Sequence, residues 1–521
     1  MSPYQTFRKL HQLTNAIDIA SWLPRLKIKR FDLSYPFVIV AWHGEDNGCI
    51  IDGMQAGCYQ FPSNPRSMRT WLVVEETGHG RSMTSDRAVS AERVTTLAVR
   101  VRRQEKLGRH SAQRIAVAIS KGGGTMKRKF AILRGIKGRQ TRDPYGGVPG
   151  PMLSSEGGAV PPEPKMEVGH LSASEVREAG RDPEVAAIAP VMPLKLIHPF
   201  ECPTVAAANK SWGIVEIGAD QSPWTGDGVV VAVLDTGIDA CHPAFQGMSI
   251  VEQDFSGSGN GDKQGHGTHC AGTIFGRDVA GTRIGIARGV KKALIGKVLG
   301  DDGGGDSDSL FQGMQWAVNG GAKVVSMSLG FDFPGMVSGL VAQGWPPDLA
   351  TSLALEAYRA NLRMFDAIME MLRARLPLDG GTVVVAAAGN ESRRDVNPDY
   401  EIAASLPAAA DGVIAVGAVE RTDAGLQVAS FSNTLPQVSA PGVAIESAKV
   451  GGGLRALSGT SMACPHVAGV ATLWWQTVRN QATLATAPMV VAKVLATTRT
   501  NGFAQGVQVA DRGAGIVTSP T

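Results

Sequence analysis

Gly459-Thr-Ser-Met-Ala-Cys-Pro-His466 is a tight turn running straight into an apolar stretch that continues to Trp475, and its serine is Ser461. The stretch carries no charged residue beyond His466, so it reads as a buried helix. A serine in the first turn of such a helix has its hydroxyl held toward a cleft. The helix dipole and the unpaired first N–H groups favour negative charge beside it. An acyl-transfer nucleophile needs this setting, because a tetrahedral oxyanion develops next to it.

A nucleophilic serine needs a base, and the base needs an orienting group. Val229-Val-Val-Ala-Val-Leu234 is a continuous apolar run, as in a parallel strand buried on both faces. It ends in Asp235-Thr-Gly, so Asp235 stands at the carboxyl end of a strand, where open α/β sheets carry their sites. In Gly265-His-Gly-Thr-His-Cys-Ala-Gly272, glycines flank His266 and a helix begins near Thr268. Val383-Val-Val-Ala-Ala-Ala-Gly-Asn390 is another buried strand, ending in an amide able to donate to an oxyanion. Taken alone, each residue has a structural reading: Asp235 as a turn former, His266 as a core histidine, Asn390 as a loop cap, Ser461 as a helix cap. Asp239 and Asp254 are alternative orienting groups, but neither ends an apolar strand. His269 and His466 fall inside the motif helices and are read as packing residues.

In this order, Asp235-Thr-Gly, His266-Gly-Thr-His, Ser328-Leu-Gly330, Ala388-Gly-Asn390 and Gly459-Thr-Ser-Met-Ala463 resemble the subtilisin-like serine peptidases, the subtilases. The resemblance runs from about Trp212 to about Thr500. It implies that Asp235 orients, His266 is the base, Ser461 attacks and Asn390 stabilises the oxyanion. It further implies that a substrate peptide adds as a strand beside Gly303-Gly304-Gly305 and Ser328-Leu329-Gly330, with Ala387, Ala388 and Gly389 at the primary specificity pocket. The implied activity is serine endopeptidase chemistry on peptide or protein substrates. No cofactor is required for that chemistry, and structural calcium is common in the family. Small side chains at Ala386–Ala388 leave the pocket roomy, so a large apolar residue is expected before the cut. Two alternatives stay open. An amine in place of water makes a peptide ligase or macrocyclase, and a retained pro-segment makes a non-catalytic binding protein.

The 521 residues allow two or three domains and a substantial core. Residues 1–125 hold 18 Lys/Arg against 10 Asp/Glu, a net of +8; the remainder holds 33 against 37, a net of −4. The basic balance therefore belongs to the first segment. Its periodicity is poor, with short strands expected only at Phe37–Trp42 and Trp71–Val74. A nucleic-acid module lacks any supporting aromatic–basic motif, so no nucleic-acid partner is expected. A solvated extension is one reading of 1–125. The other is that translation starts at Met126, after a Lys121-Gly-Gly-Gly124 whose codons resemble a ribosome-binding site. Peptides from residues 1–120 in the natively expressed protein would overturn this second reading.

From Met126 the pattern improves. Phe130–Leu133 and Lys165–Val168 read as strands, 144–164 as a Pro/Gly-rich loop, and Ser172-Ala-Ser-Glu175 as a capping box opening a helix. Val185–Ile197 is an extended run broken by Pro190 and Pro193. Coming just before the subtilase-like region, 126–205 looks like the family's inhibitory propeptide. That resemblance implies self-cleavage within 198–211, with the propeptide as an intramolecular inhibitor. Residues 206–505 then alternate strands (229–234, 293–299, 323–329, 382–388, 412–418) with helices opening near His266, Ser307 and Ser461. The expected fold class is α/β: a doubly wound, mostly parallel sheet with helices on both faces, preceded by a small α+β propeptide. An insertion at 331–380 reads as a surface helical hairpin, with Leu349, Leu353, Tyr358, Leu362, Phe365, Ile368 and Leu372 on one face. The tail, 506–521, is expected to close the fold loosely.

Asp301, Asp302, Asp306 and Asp308 crowd the expected substrate rim. They are read as a solvated acidic loop, as a selector of basic substrate residues or as calcium ligands. The cysteines, Cys49, Cys58, Cys202, Cys241, Cys270 and Cys464, have neither metal-ligand nor disulfide-framework spacing. Cys270 and Cys464 read as small buried residues. Neither Met1 nor Met126 leads a basic-then-apolar signal, and no run is long enough to span a membrane. A cytoplasmic location without membrane partners is the resulting expectation, with export by a non-standard route as the alternative.

Overall fold

The computed structural model describes residues 40–42, 55–60, 70–75, 127–135, 165–202, 209–482 and 484–521. The chain divides into two units, Met1–Gly123 and Gly124–Thr521. In the first, β1 (Val40–Trp42), β2 (Gln55–Gln60) and β3 (Thr70–Glu75) form an antiparallel sheet in the order β1-β3-β2. Two of these strands overlap the expected ones, and β2 is additional. The loop expected at 144–164 and residues 203–208 of the expected processing window lie outside the described residues.

The second unit opens with a small antiparallel sheet, β5-β4-β6, made of β4 (Arg128–Arg134), β5 (Lys165–Leu171) and β6 (Val185–Pro190). Helix α1 (Ala173–Ala179) starts at the expected capping box. The Ser172 hydroxyl accepts from the Glu175 N–H at 3.3 Å, and the Glu175 carboxylate accepts from the Ser172 N–H at 2.7 Å. Two short strands follow, β7 (Pro193–Leu196) and β8 (Phe200–Cys202).

The main sheet contains β9 (Val231–Asp235), β10 (Ser249–Asp254), β11 (Lys292–Lys297), β13 (Val324–Met327), β15 (Val383–Ala387), β16 (Val413–Thr422), β17 (Gly425–Val428) and β18 (Val438–Pro441). Its order is β10-β11-β9-β13-β15-β16-β17, with β18 also on β16, and every pairing is parallel except β16 with β17. Four further short strands lie outside this sheet: β12 (Gly304–Asp306), β14 (Leu329–Phe331) and the hairpin of β19 (Ile445–Ala448) with β20 (Leu454–Ser458). The helices that matter here are α2 (His266–Phe275), α3 (Ser307–Asn319), α4 (Phe333–Ala342), α5 (Pro347–Ala374), α6 (Thr460–Gln481) and α7 (Ala487–Ala496).

The apolar runs are continuous because the sheet is buried twice. Along β9, Val231 and Val233 enter one core with α2 and α6, while Ala232 and Leu234 enter the other with α3 and α5. β15 alternates likewise, with Val383, Val385 and Ala387 on one side and Val384 and Ala386 on the other. Strands run out in both directions from β9, so its carboxyl end is a topological switch point, and Asp235 sits on it.

The insertion is a helical pair, α4 on α5, but it is not peripheral. Helix α5 buries Ala350, Ala354, Ala357, Asn361, Met364, Phe365, Ile368, Met369 and Leu372, while Leu349 is 45% exposed. The N-terminal half of the expected stripe is therefore rotated. Small residues, Ala350, Ala354 and Ala357, face inward there, and α5 packs against both α4 and β6. The same core takes Ala131, Leu133 and Ala189 from the small sheet. Asn361 donates its amide to the Pro190 carbonyl at 2.8 Å, and Arg128 stacks over Trp345 at 5.4 Å. The tail is also firmly held: Ile516 and Val517 are fully buried, and Val517 N–H donates to Ser439 O at 3.0 Å. Phe365→Ala is expected to cost about 3–5 kcal/mol in a urea titration and Leu349→Ala less than ~0.5 kcal/mol; equal costs would contradict this burial pattern.

Candidate active site

Asp235, His266 and Ser461 come from three elements that meet at one end of the sheet, and all three are fully buried. His266 Nδ1 lies 2.8 Å from Asp235 Oδ1, and the same oxygen accepts from the Thr236 N–H at 2.7 Å. The pair can close because residue 267 is glycine: a Cβ there would lie 2.2 Å from the Gly237 carbonyl oxygen and 3.2 Å from the Asp235 Cβ. His266 Nε2 is buried and makes no hydrogen bond. The Ser461 hydroxyl turns to carbonyls, donating to Ile197 O at 3.1 Å, with Ser328 O at 3.5 Å.

Several residues absent from the motif reading hold this corner together. Buried Asp262 accepts from Thr236 Oγ1 (3.0 Å) and Gly265 N (2.7 Å) through one oxygen, and from Thr268 N (2.9 Å) and Oγ1 (2.7 Å) through the other. It thus ties the Asp235 loop to the start of α2. Lys297 is 2% exposed and donates to Thr236 O (2.8 Å), Gly261 O (3.1 Å) and Asp301 Oδ1 (2.8 Å). The one sequence signal was a lysine inside the apolar run of β11. Asp239 accepts instead from Gly451 N, and Asp254 from Ser256, Gly257 and Gly259, so neither alternative carboxylate reaches His266.

Asn390 is oriented through its oxygen, which accepts from Thr460 N at 2.9 Å and Thr460 Oγ1 at 2.8 Å. Its amide nitrogen faces the cleft and donates to His198 O at 3.1 Å. Gly389 has φ +115°, and a Cβ there would lie 2.3 Å from Asn433 Nδ2, so the bend presenting Asn390 admits only glycine. Ala387 and Ala388 are buried beside it.

The two glycine-containing rails do hold a strand, and it is the chain's own. β7 runs between β12 and β14, antiparallel to both, with Lys195 opposite Gly304 and Gly330, Leu194 opposite Gly305, and Leu196 opposite Leu329. Leu196 N–H donates to Gly303 O at 2.9 Å. Ile197 is buried, and a Cβ on Gly330 would lie 3.6 Å from its Cγ1. Beyond the serine, β8 pairs antiparallel with β20. Ile197-His-Pro199 therefore crosses directly over Ser461.

The acidic rim differs from its expected roles. Asp301 lies between Lys263 and Lys297, which hold its carboxyl below the usual range. Asp302 accepts from Gly304 N, and Asp306 and Asp308 face Lys129 of β4. These oxygens answer lysines and a backbone N–H instead of converging as calcium ligands do. Among the described residues, the His/Cys/Asp/Glu set with metal-compatible spacing is Asp235, His266 and Cys270. Cys270 Sγ lies 3.8 Å from His266 Nδ1, and burial, then Asp235, pushes its thiol well up, which keeps it an un-ionised packing group. Cys464 is pushed up to about 11 by burial. His269 Nε2 faces Ile445 O and Arg455 O, and His466 Nδ1 faces Met462 O. Burial lowers their pKa values to about 3 and about 4.

The Subtilase family model matches residues 226–515. Over 311 residues the chain is 34% identical to the thermostable alkaline protease of Halalkalibacterium halodurans, covering 58% of this chain and 70% of that protein. It is 34% identical over 273 residues to subtilisin-like protease 6 of Trichophyton rubrum, covering 50% and 57%. With subtilisin-like serine protease Pen c 1 of Penicillium citrinum it shares 32% over 314 residues, covering 57% and 66%. These bacterial and fungal relatives overturn the cytoplasmic expectation. That expectation rested on the lack of a basic-then-apolar run after Met1 or Met126.

The two buried histidines set a pH dependence. Their folded-state values lie below the unfolded value near 6.5, so the unfolded chain binds more protons as pH falls. Their contribution to stability is complete above about pH 6.5 and is lost on acidification toward pH 4 and below. The unfolding temperature is expected to fall between pH 7 and pH 4.5 in a calorimetric series; a flat or rising profile would exclude this.

Proposed function

The chain belongs to the subtilase family of serine endopeptidases, and from that premise we propose that it cleaves peptide bonds through an acyl-enzyme on Ser461 and is made with its inhibitor in cis. The observation that carries this reading is the buried His266–Asp235 pair beside a serine whose hydroxyl lies 3.1 Å from a carbonyl oxygen of a strand held in the cleft. In the proposed reaction the Ser461 hydroxyl rotates toward His266 Nε2, which takes its proton as Oγ attacks the carbonyl carbon. Asp235 keeps the imidazole in the tautomer with Nδ1 protonated and stabilises the imidazolium. The Asn390 amide and the Ser461 N–H, in the first turn of α6, receive the oxyanion. His266 then returns the proton to the leaving amine, and water releases the acid.

The bond at the nucleophile is Ile197–His198, which we propose as the self-processing site, at the upstream edge of the window expected from the sequence. Residues N-terminal to it, up to the β5-β4-β6 sheet, act as the intramolecular inhibitor on this reading. The buried contacts of that sheet with α5 support this role.

Intact mass and a fluorophosphonate probe test the proposal. The wild-type chain is expected to yield a product beginning at His198 with one probe adduct, and Ser461→Ala to yield neither. In subtilisin, loss of the nucleophile costs roughly a million-fold in turnover and loss of the oxyanion asparagine roughly 100–1,000-fold; like losses are expected for Ser461→Ala and Asn390→Ala. An active Ser461→Ala protein would sink the assignment.

A further inference from the structure

We infer that Asp332 and Glu391 form a subsite selecting a basic side chain at the third residue before the cut, so that the favoured substrates are peptides with Lys or Arg there and an aliphatic residue at the cut. This inference rests on the proposed peptidase reading and on Ile197 as the residue before the cut. Lys195 stands two residues earlier, its backbone fixed between Gly304 and Gly330. Its flanking side chains, Leu194 and Leu196, are 3% and 1% exposed. Lys195 turns to the other face, where its ammonium lies 3.3 Å from Glu391 Oε1 and 3.7 Å from Asp332 Oδ1.

Both carboxylates are fixed by contacts unrelated to the lysine. Asp332 caps α4, accepting from Gly335 N at 3.1 Å. Glu391 follows Asn390 directly, and its other oxygen accepts from Asn433 Nδ2 at 2.8 Å. The two acids come from different elements, the insertion and the turn after β15, and converge on one side chain of the strand in the cleft. Among the described residues no other cation pairs with either. The rim acid Asp301, by contrast, faces Lys263 and Lys297, which lie outside both β7 and the β5-β4-β6 sheet. When β7 leaves, Asp332 and Glu391 lose their counter-ion, and a substrate cation at the same strand position restores it.

Each side chain in this cluster is about one-third exposed, so the preference is modest in size. The test is kcat/KM of the processed enzyme on fluorogenic peptides Leu-Xaa-Leu-Ile, with Lys, Ala or Glu at the variable position. Lys is expected to exceed Ala by roughly 3- to 10-fold and Glu by about 10-fold or more, and the Lys-to-Glu ratio is expected to shrink as salt is raised. Asp332→Asn with Glu391→Gln retains the cap and the Asn433 contact as neutral hydrogen bonds, and brings that ratio toward one. Equal rates on the three peptides, or a lysine preference that survives the double substitution, would overturn the inference while leaving the peptidase reading intact. No turnover of any peptide, together with no fluorophosphonate adduct on Ser461, would bring down both.

Discussion

A carboxylate buried at the end of a strand is the constraint on which this structure depends. Asp235 has no exposure to water, and an unpaired charge in such a position is strongly unfavourable. The fold compensates it through one oxygen, Oδ1, which meets the Thr236 N–H and the His266 ring, and places Lys297 on the neighbouring strand in direct register. Lys297 does not touch the carboxylate. It holds the carbonyls of Thr236 and Gly261, and so fixes the loop leaving β9 against the loop entering α2. Asp262 stitches the same loops through side chains. The proposed base is thus oriented by a network reaching well beyond its one partner, and Thr236, Asp262 and Lys297, which build it, are all buried.

The second organising feature is the pair of short edges that accept an extended chain. Strand addition uses backbone groups, so affinity comes without demand on side chains, and discrimination is left to what the side chains meet. In β7 the two leucines enter apolar surroundings while Lys195 meets two carboxylates. The helical insertion matters twice here. Its long helix packs against β6 of the small N-terminal sheet, and its shorter helix begins at one of those carboxylates.

The sheet and the candidate site were legible because their signals are local. A strand buried on both faces must be apolar throughout, and a sharp turn bringing a helix against a strand end must use glycine; both patterns can be read along the chain. The residues that were missed act across the fold. Asp262 is an unremarkable acid in a Gly-rich loop until Thr236 and Thr268 are brought to it. The acidic run 301–308 looked like a site because it is dense, yet its charges are answered by lysines as distant in sequence as Lys129. Asp332 and Glu391 carried no such density and converge only through tertiary structure. The N-terminal half of the inward face of α5 was misread for a related reason: hydrophobic periodicity finds large apolar residues, whereas the buried positions there are Ala350, Ala354 and Ala357.

The strand in the cleft also bears on how a peptidase can carry its own substrate without rapid turnover. On the proposed reading, Ile197–His198 is the bond to be cut, yet the chain on both sides of it is held in sheets, β7 between the rails and β8 on β20. Cleavage therefore leaves both products in place, and the new amine stays beside the acyl group, free to attack it in reverse. Within this arrangement Asn390 serves the His198 carbonyl, one residue past the carbonyl that faces Ser461. Attack requires the amide to exchange one carbonyl for the other while the Ser461 hydroxyl turns from Ile197 O toward His266. Those two rearrangements separate a bound strand from a reacting one. They give strand binding and bond cleavage different structural requirements, which is the condition for a segment to inhibit first and be cut later.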